Sequence, residues 1–286
     1  MEEEEIKSAV RDAYSKVAKC EISIPLNPLK CCCTKGDLSH DISRAVGYNE
    51  EELASVPEGA NLDLGCGNPT ALASLKKGEA VLDLGSGAGF DCFLAANAVG
   101  VTGQVIGVDM TPEMIEKAQA NARKGGYSNV DFRLGELEHL PAADNSVDVM
   151  ISNCVINLTP DKAAVFREAF RVLKPGGRLA VSDMVLLKEL PDVVKQSVAA
   201  YVGCLSGAIM KDAYVATIRD AGFDDVRIVE ESSFPLDYMA SDPSAQAIRD
   251  SINLTPDELR DLADSVVSIK VAGKKARVCS RCDFYR

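Results

Sequence analysis

Clustered Lys and Arg are missing from this sequence. Its 286 residues carry 31 basic against 43 acidic side chains, a formal net charge of −12, whereas phosphate-rich partners are held by concentrated positive charge. Nucleic acid is therefore not an expected partner. Also missing is any apolar run near the roughly 18 residues that cross a bilayer, so no membrane span is expected. The opening MEEEEIKSAVRDAYSKVAKC is acidic where a secretory leader is basic, and it lacks the apolar middle of one. These absences point to a cytoplasmic protein, expected to be a monomer, whose first glutamates suit a helix N-terminus. Histidine is scarce, with only His40 and His139, and there is no low-complexity linker. A hydrophobic content of 47% nevertheless allows at least one large core.

Cysteine is the abundant oddity. Ten occur, at 20, 31, 32, 33, 66, 92, 154, 204, 279 and 282, and in a reducing compartment they are thiols. Cys20 and Cys92 lie on apolar helical stretches and read as small buried hydrophobes. Cys31, Cys32 and Cys33 follow the loop-like PLNPLK, and three consecutive thiols cannot all face one core. A soft metal or metalloid is a serious candidate ligand for them. The pair Cys279 and Cys282 is half of a usual zinc site, and it reads equally as a flexible dithiol with no assigned task or as a redox or metalloid-delivery pair.

Strands and helices alternate along the middle of the chain. The stretches 80–85, 104–110, 130–135, 147–153 and 177–184 read as buried parallel strands. Helical segments lie between them, one opening at Thr111 and Pro112 and one running through DKAAVFREAFRVLK to Pro175 and Gly176. The order indicates an α/β fold with a doubly wound, mainly parallel sheet. Residues 190–222 look helical. The tail offers strands at 226–231 and 267–273 around a polar helix, a small C-terminal α+β region.

Two versions of one phrase, LDLGCGNP and LDLGSGAG, start 20 positions apart at Leu62 and Leu82. The second closes a strand with Asp83, turns through Gly85, Gly87 and Gly89, opens a helix, and is followed by Asp109 at the end of the next strand. Glycines there let backbone approach a ligand, and the second acid accepts from ribose hydroxyls. In the first phrase Asn68 and Pro69 replace the last glycine, and too few residues follow for a crossover helix. It reads as a turn presenting Cys66.

A dinucleotide fold reading GxGxxG would put glycine at position 90, which is Phe90. The alternate glycines behind Asp83, with Asp109 and LGELEHLP, resemble class I S-adenosylmethionine-dependent methyltransferases. The resemblance implies that Asp83, Gly85 and Gly87 contact the methionine half, Asp109 holds the ribose, and Met110 packs on adenine. It also implies that Leu137 with Glu138 reads the adenine edge, and that Asn153 joins the cofactor site. The fourth strand end, VDVMISNCVINLTPDK, has neither the NPPY or DPPY of exocyclic-amine methyltransferases nor the PCQ of cytosine-C5 enzymes. It offers Cys154. Together with DLGSGAGFDCF, RVLKPGGRLAVSD, YVGCLSGA and the GCGNP turn, it resembles the arsenite S-adenosylmethionine methyltransferases over roughly residues 10–235.

That resemblance implies four working thiols: Cys66, Cys154, Cys204 and one of the N-terminal triplet, with Cys32 or Cys33 favoured over Cys31. Cys66, Cys154 and Cys204 would bind arsenic(III), and an external thiol reductant such as thioredoxin or glutathione would renew them. The implied organisation is an N-terminal segment, 1–60; a cofactor-binding core, 61–189; a substrate region, 190–235; and a C-terminal region, 236–286. The substrates would be arsenite and then methylarsenite, for detoxification. Arsenic carries no proton to remove, so such a site works without a histidine base. Two rivals share parts of this pattern: a methyltransferase of a small quinone-like acceptor with incidental cysteines, and a non-catalytic thiol protein that sequesters metal or metalloid.

Overall fold

The computed structural model describes residues 3–19, 43, 44, 46–233 and 255–277. Helix α1 (Glu3–Ala18) opens with Glu3, Glu4 and Glu5 in its first turn, where negative charge meets the positive end of the helix dipole. Two short helices follow, α2 (Glu50–Ala54) and α3 (Pro69–Ala73). The core then alternates: β1 (Ala80–Leu84), α4 (Phe90–Val99), β2 (Gln104–Asp109), α5 (Pro112–Gly125), β3 (Val130–Leu134), β4 (Val147–Asn153), α6 (Lys162–Val172) and β5 (Leu173–Leu186).

The strands form one seven-stranded sheet in the order β3-β2-β1-β4-β5-β7-β6, where β6 is Asp224–Ser233 and β7 is Val266–Lys274. The strands β1 to β5 are mutually parallel. Val81, Leu82 and Leu84 of β1 are fully buried, as expected of a strand covered by helices on both faces. One covering helix, α4, is apolar nearly all round and buried from Asp91 to Ala96, whereas α6 buries Lys162 at its start and then the stripe Val165, Phe166, Ala169 and Val172.

The sixth helix stops earlier than the sequence suggests. It ends at Val172, and Leu173 is already extended and paired with Val147. Lys174 precedes proline and is biased away from helix, so Lys174 to Gly177 fall in a break of the β4–β5 register instead. Beyond β5 the expected helical stretch is three pieces, α7 (Asp192–Lys195), α8 (Val198–Val202) and α9 (Lys211–Asp220). Among the described residues no helix is long and apolar enough to cross a membrane.

Both tail strands build onto this sheet. Strand β7 follows α10 (Pro256–Ala263), which Thr255 and Glu258 start with a reciprocal capping box. It lies antiparallel between β5 and β6, paired with β5 from Leu186↔Val266 to Arg178↔Lys274. Its Ile269 and Val271 are fully buried, each worth roughly 1.5–3 kcal/mol. A chain ending at residue 254 therefore loses the partner of two strands and should show no cooperative urea transition by circular dichroism. A transition like that of the full chain would show β7 to be dispensable.

Candidate active site

Strand order reverses at β1, which lies between β2 and β4, and ligands gather at the carboxyl ends of strands at such a point. Immediately after β1, the N–H groups of Gly85 and Ser86 both donate to the Val108 carbonyl, at 2.8 and 3.0 Å. This bends the chain sharply, with Gly85 and Gly87 at φ +70° and +51°, a region that costs a residue bearing Cβ. Gly85 lies against Val155, while a Cβ at Gly87 would meet nothing within 4 Å: its backbone faces open space. The Gly87 N–H donates to Asp109 Oδ2 at 2.9 Å, and the Thr111 N–H to Oδ1 at 2.8 Å. Thr111 is the N-cap of α5 but makes no side-chain cap bond. Asp83, Gly85, Gly87, Asp109, Met110, Leu137, Glu138 and Asn153 all line one pocket, together with Cys154. The Ser86 hydroxyl is buried there with no hydrogen-bond partner among the described residues.

Helix α1 closes one side of this pocket with Lys7, Val10 and Tyr14. Lys7 Nζ reaches Glu136 at 2.7 Å and Glu138 at 3.4 Å, and Lys19 reaches Glu113 at 2.8 Å. The pocket floor is acidic. Burial, then the charge of Asp91, pushes the Asp83 carboxyl well above its usual range. Burial lifts Asp91 to about 6 against the opposing bonds from Tyr48 and Asn153. It also raises Asp109, against the N–H groups of Thr111 and Gly87. Cys92 is buried as expected, but it is more than a hydrophobe, since its thiol donates to Asp83 Oδ2 at 3.2 Å.

The first phrase has a different task. A Cβ at Gly65 would stand 2.5 Å from Asn153 Nδ2, and one at Gly67 would stand 2.5 Å from Ser182 Oγ. Both glycines are required so that Cys66 can lie against the ends of β4 and β5. Asn68 then starts α3, accepting from the Ala71 N–H at 2.9 Å with Pro69 at the first turn. On the far side the Ser268 hydroxyl of β7 donates to the Cys66 carbonyl at 2.9 Å.

Three thiols from distant segments meet here, Cys66 ahead of α3, Cys154 after β4, and Cys204 after α8, all buried. The Cys204 thiol donates to the Cys154 carbonyl at 3.0 Å. Cys66 Sγ, Cys154 Sγ and an Asp183 carboxylate oxygen lie within 4.8 Å of one another. Hydrogen bonds with Cys204 and Cys66, then burial, raise the Cys154 thiol well above its usual value. For Cys66, the bond with Cys154 pulls downward, but burial with the charges of Asp183 and Cys204 leaves it raised. Both are neutral thiols near pH 7. Cys20, Cys31, Cys32, Cys33, His40, Cys279 and Cys282 lie outside the described residues.

The sequence reading missed Asp183. It is fully buried, with Oδ1 accepting from Asn157 Nδ2 at 2.9 Å and the Met184 N–H at 3.0 Å, and Oδ2 accepting from the Tyr214 hydroxyl at 3.0 Å. An acid inside the apolar run LAVSDMVL was the available signal. Tyr14, Tyr48 and Asp91, all lining the pocket, were missed as well. Burial raises Asp183 to about 7, so the folded chain holds this proton more tightly than the unfolded one. Stability should therefore fall as pH climbs from about 4 through about 7, by up to roughly 1.4 kcal/mol per unit from this group. Asp183→Asn should make that decline shallower, leaving the part due to Asp83, Asp91 and Asp109. Urea midpoints at pH 5 and 7.5 check this, and an equal drop in both proteins would rule out titration of Asp183 in that window.

A family model described as a methyltransferase domain matches residues 75–222. The arsenite methyltransferase of Halobacterium salinarum is 44% identical over 278 residues, which cover 95% of this chain and 67% of that protein. The human arsenite methyltransferase is 35% identical over 234 residues, or 79% of this chain and 60% of that one. The chain thus spans about two thirds of the length of these relatives. Among solved structures, an arsenic(III) S-adenosylmethionine methyltransferase from Chlamydomonas reinhardtii superposes with a TM-score of 0.61 at 34% identity, covering 84% of this chain and 74% of that one. With a methyltransferase domain over half its length and these likenesses running beyond it on both sides, the chain belongs to the arsenite methyltransferase family.

Proposed function

We propose that this protein transfers the methyl group of S-adenosylmethionine to arsenic(III) held by Cys66, Cys154 and Cys204. The observation that carries the proposal is the double membership of Cys154, which lines the pocket and also belongs to the thiol cluster. The pocket suits this co-substrate. Its carboxylates are strained by burial and mutual repulsion, which a cationic ligand relieves, and the open backbone at Gly87 leaves room beside Asp109. When bound there, S-adenosylmethionine supplies a methyl group on a positively charged sulfur.

The protein's own contribution is capture, orientation and exclusion of water. Arsenite enters as a neutral hydroxide, and each neutral thiol that bonds to arsenic passes its proton to a departing hydroxide, which leaves as water. No net proton is released. Three thiolates hold arsenic as a pyramid with its lone pair free, and that lone pair is the nucleophile. In-line placement beside the methyl group supplies roughly 7–11 kcal/mol when the geometry is good. Arsenic becomes formally pentavalent, and two thiols closing a disulfide return it to the trivalent state. An external thiol such as thioredoxin or glutathione then reopens that bond, with Cys32 or Cys33 as the relay. The protein works as a monomer.

Asp109→Ala removes the acceptors for the ribose and releases the Gly87 N–H, and it should weaken S-adenosylmethionine binding by roughly 1–3 kcal/mol. Calorimetry showing unchanged affinity would remove the cofactor assignment.

Serine at Cys154 or Cys204 replaces a soft ligand with a hard one and should nearly abolish methylation while sparing cofactor affinity. Cys66→Ser should differ between substrates. Methylarsenite has one valence filled by carbon and needs only two thiols, so a loss on arsenite at least tenfold greater than on methylarsenite is expected, about 1.4 kcal/mol. Initial rates under excess thiol decide it. Equal losses would make Cys66 a general ligand, and activity retained in both Cys154→Ser and Cys204→Ser would favour an organic methyl acceptor.

A further inference from the structure

The thiol cluster carries one ligand too many for arsenic. Arsenite needs three soft donors and keeps its lone pair, so a hard carboxylate adds no lasting bond. Yet an Asp183 oxygen stands within 4.8 Å of both Cys66 Sγ and Cys154 Sγ. Two thiolates and one carboxylate are a donor set for a borderline divalent cation, and zinc takes such ligands at about 2.3 Å from sulfur and about 2.0–2.2 Å from oxygen. We propose that Cys66, Cys154 and Asp183 form a zinc(II) site, with a water in the fourth position, whose occupation excludes arsenite.

The surroundings fit a built site. A metal-binding carboxylate is ordinarily oriented by hydrogen bonds from an outer shell, and here Tyr214 donates to Asp183 Oδ2 at 3.0 Å while Asn157 and the Met184 N–H hold Oδ1. Oδ2, with one donor, keeps a lone pair for a cation. Tyr214 and Asn157 are themselves fully buried, so this orientation is fixed before any ion arrives. Zinc displaces the thiol protons of Cys66 and Cys154 to solvent, together with that of Asp183 where it is protonated, because only the deprotonated groups coordinate. The site then holds three negative charges against two positive ones. The difference is met by Lys162, a largely buried ammonium whose charge acts on Asp183. Cys154 cannot serve both occupants at once, so zinc becomes a brake that competes with arsenite and leaves the cofactor pocket accessible.

Competition rests on the arsenite reading, whereas the zinc site rests on geometry alone, and the test separates them. The full chain with reduced thiols is titrated with zinc(II) against a chromophoric chelator, with cobalt(II) as the spectroscopic stand-in. A parallel chain with Cys31, Cys32, Cys33, Cys279 and Cys282 changed to serine silences the other thiols. Zinc should bind both chains at one common site with a tetrahedral, sulfur-ligated cobalt spectrum. Asp183→Asn should weaken zinc at least tenfold while changing arsenite affinity less than threefold. Should that variant not fold, the zinc-dependent rise in the urea midpoint of the parent serves instead, and it should vanish in Cys66→Ser. Zinc affinity indifferent to Asp183, a midpoint rise that survives Cys66→Ser, or simultaneous binding of zinc and arsenite overturns the proposal. Asp183-dependent zinc binding in a protein that takes no arsenite upholds the zinc site and overturns the arsenite reading instead.

Discussion

The carboxamide of Asn153, at the carboxyl end of β4, is the joint on which the site depends. Its Oδ1 accepts the Cys66 N–H at 3.0 Å, and its two amide hydrogens are shared among Gly67 O at 2.8 Å, Tyr48 Oη at 2.9 Å and Asp91 Oδ2 at 3.1 Å. One side chain therefore ties the turn that carries Cys66, the segment before α2, and the first turn of α4 to the central strand. Asp91 also takes the Tyr48 hydroxyl at 2.7 Å, so the network is closed. Only an amide offers an acceptor and two donors in one plane. An aspartate here would face the Asp91 carboxylate and repel it.

From that joint the two halves of the site acquire a common wall. The cofactor side is lined with carboxylates that burial holds away from easy ionisation, and the substrate side with Cys154 and Cys66, the first raised by its hydrogen bonds with the other thiols and by burial, the second by burial and neighbouring charge. Neither half is comfortable with negative charge in the absence of ligand. A cation in one and a neutral hydroxide of arsenic in the other are the guests that such walls favour, because each removes the source of strain without adding a buried charge. Helix α1 completes the enclosure through Lys7, which bridges Glu136 and Glu138, and through Tyr14, packed against the thiol cluster.

Legibility in the sequence followed the range of the forces involved. The turn from β1 through Gly85, Gly87 and Gly89 into α4, and the acid ending β2, are local events, and their spacing alone indicated a nucleoside pocket. The order of the core strands was legible for the same reason, since period and turn residues lie close together in the chain. Cys66 and Cys154 stood out from their turn and strand end, but their grouping with Cys204 as one ligand set came only from likeness to a family, because spacings of 88 and 50 residues say nothing about distance in space. Asp183 was not legible as a site residue. Its importance arises where Tyr214 from α9 and Asn157 after β4 close around it, a tertiary event without a local signature. The insertion of β7 between β5 and β6 belongs to the same class, as does the early end of α6, where the pull of strand pairing at Leu173 outweighed helix propensity.

The backbone at the thiols carries a further step. Cys154 and Cys204 both sit at left-handed φ, +57° and +63°, which costs a residue with Cβ roughly 1–2 kcal/mol. Glycine would relieve that strain, and asparagine or aspartate would reduce it, so local propensity does not account for cysteine at these positions. At Cys154 the left-handed turn ends β4 abruptly: its N–H still pairs with Ser182 O at 2.8 Å, while the side chain swings over the end of the sheet toward Cys66. At Cys204 the same conformation turns the chain after α8, so that the thiol reaches back to the Cys154 carbonyl. Strain held at two adjoining cysteines by fully formed hydrogen bonds marks a geometry imposed by the surrounding fold. The backbone that carries these two thiols is thus set before any ligand arrives. The fold therefore brings the donors together at a cost in local conformation, and the site meets its occupant with soft sulfur from Cys66 and Cys154 already gathered within 4.8 Å of one another.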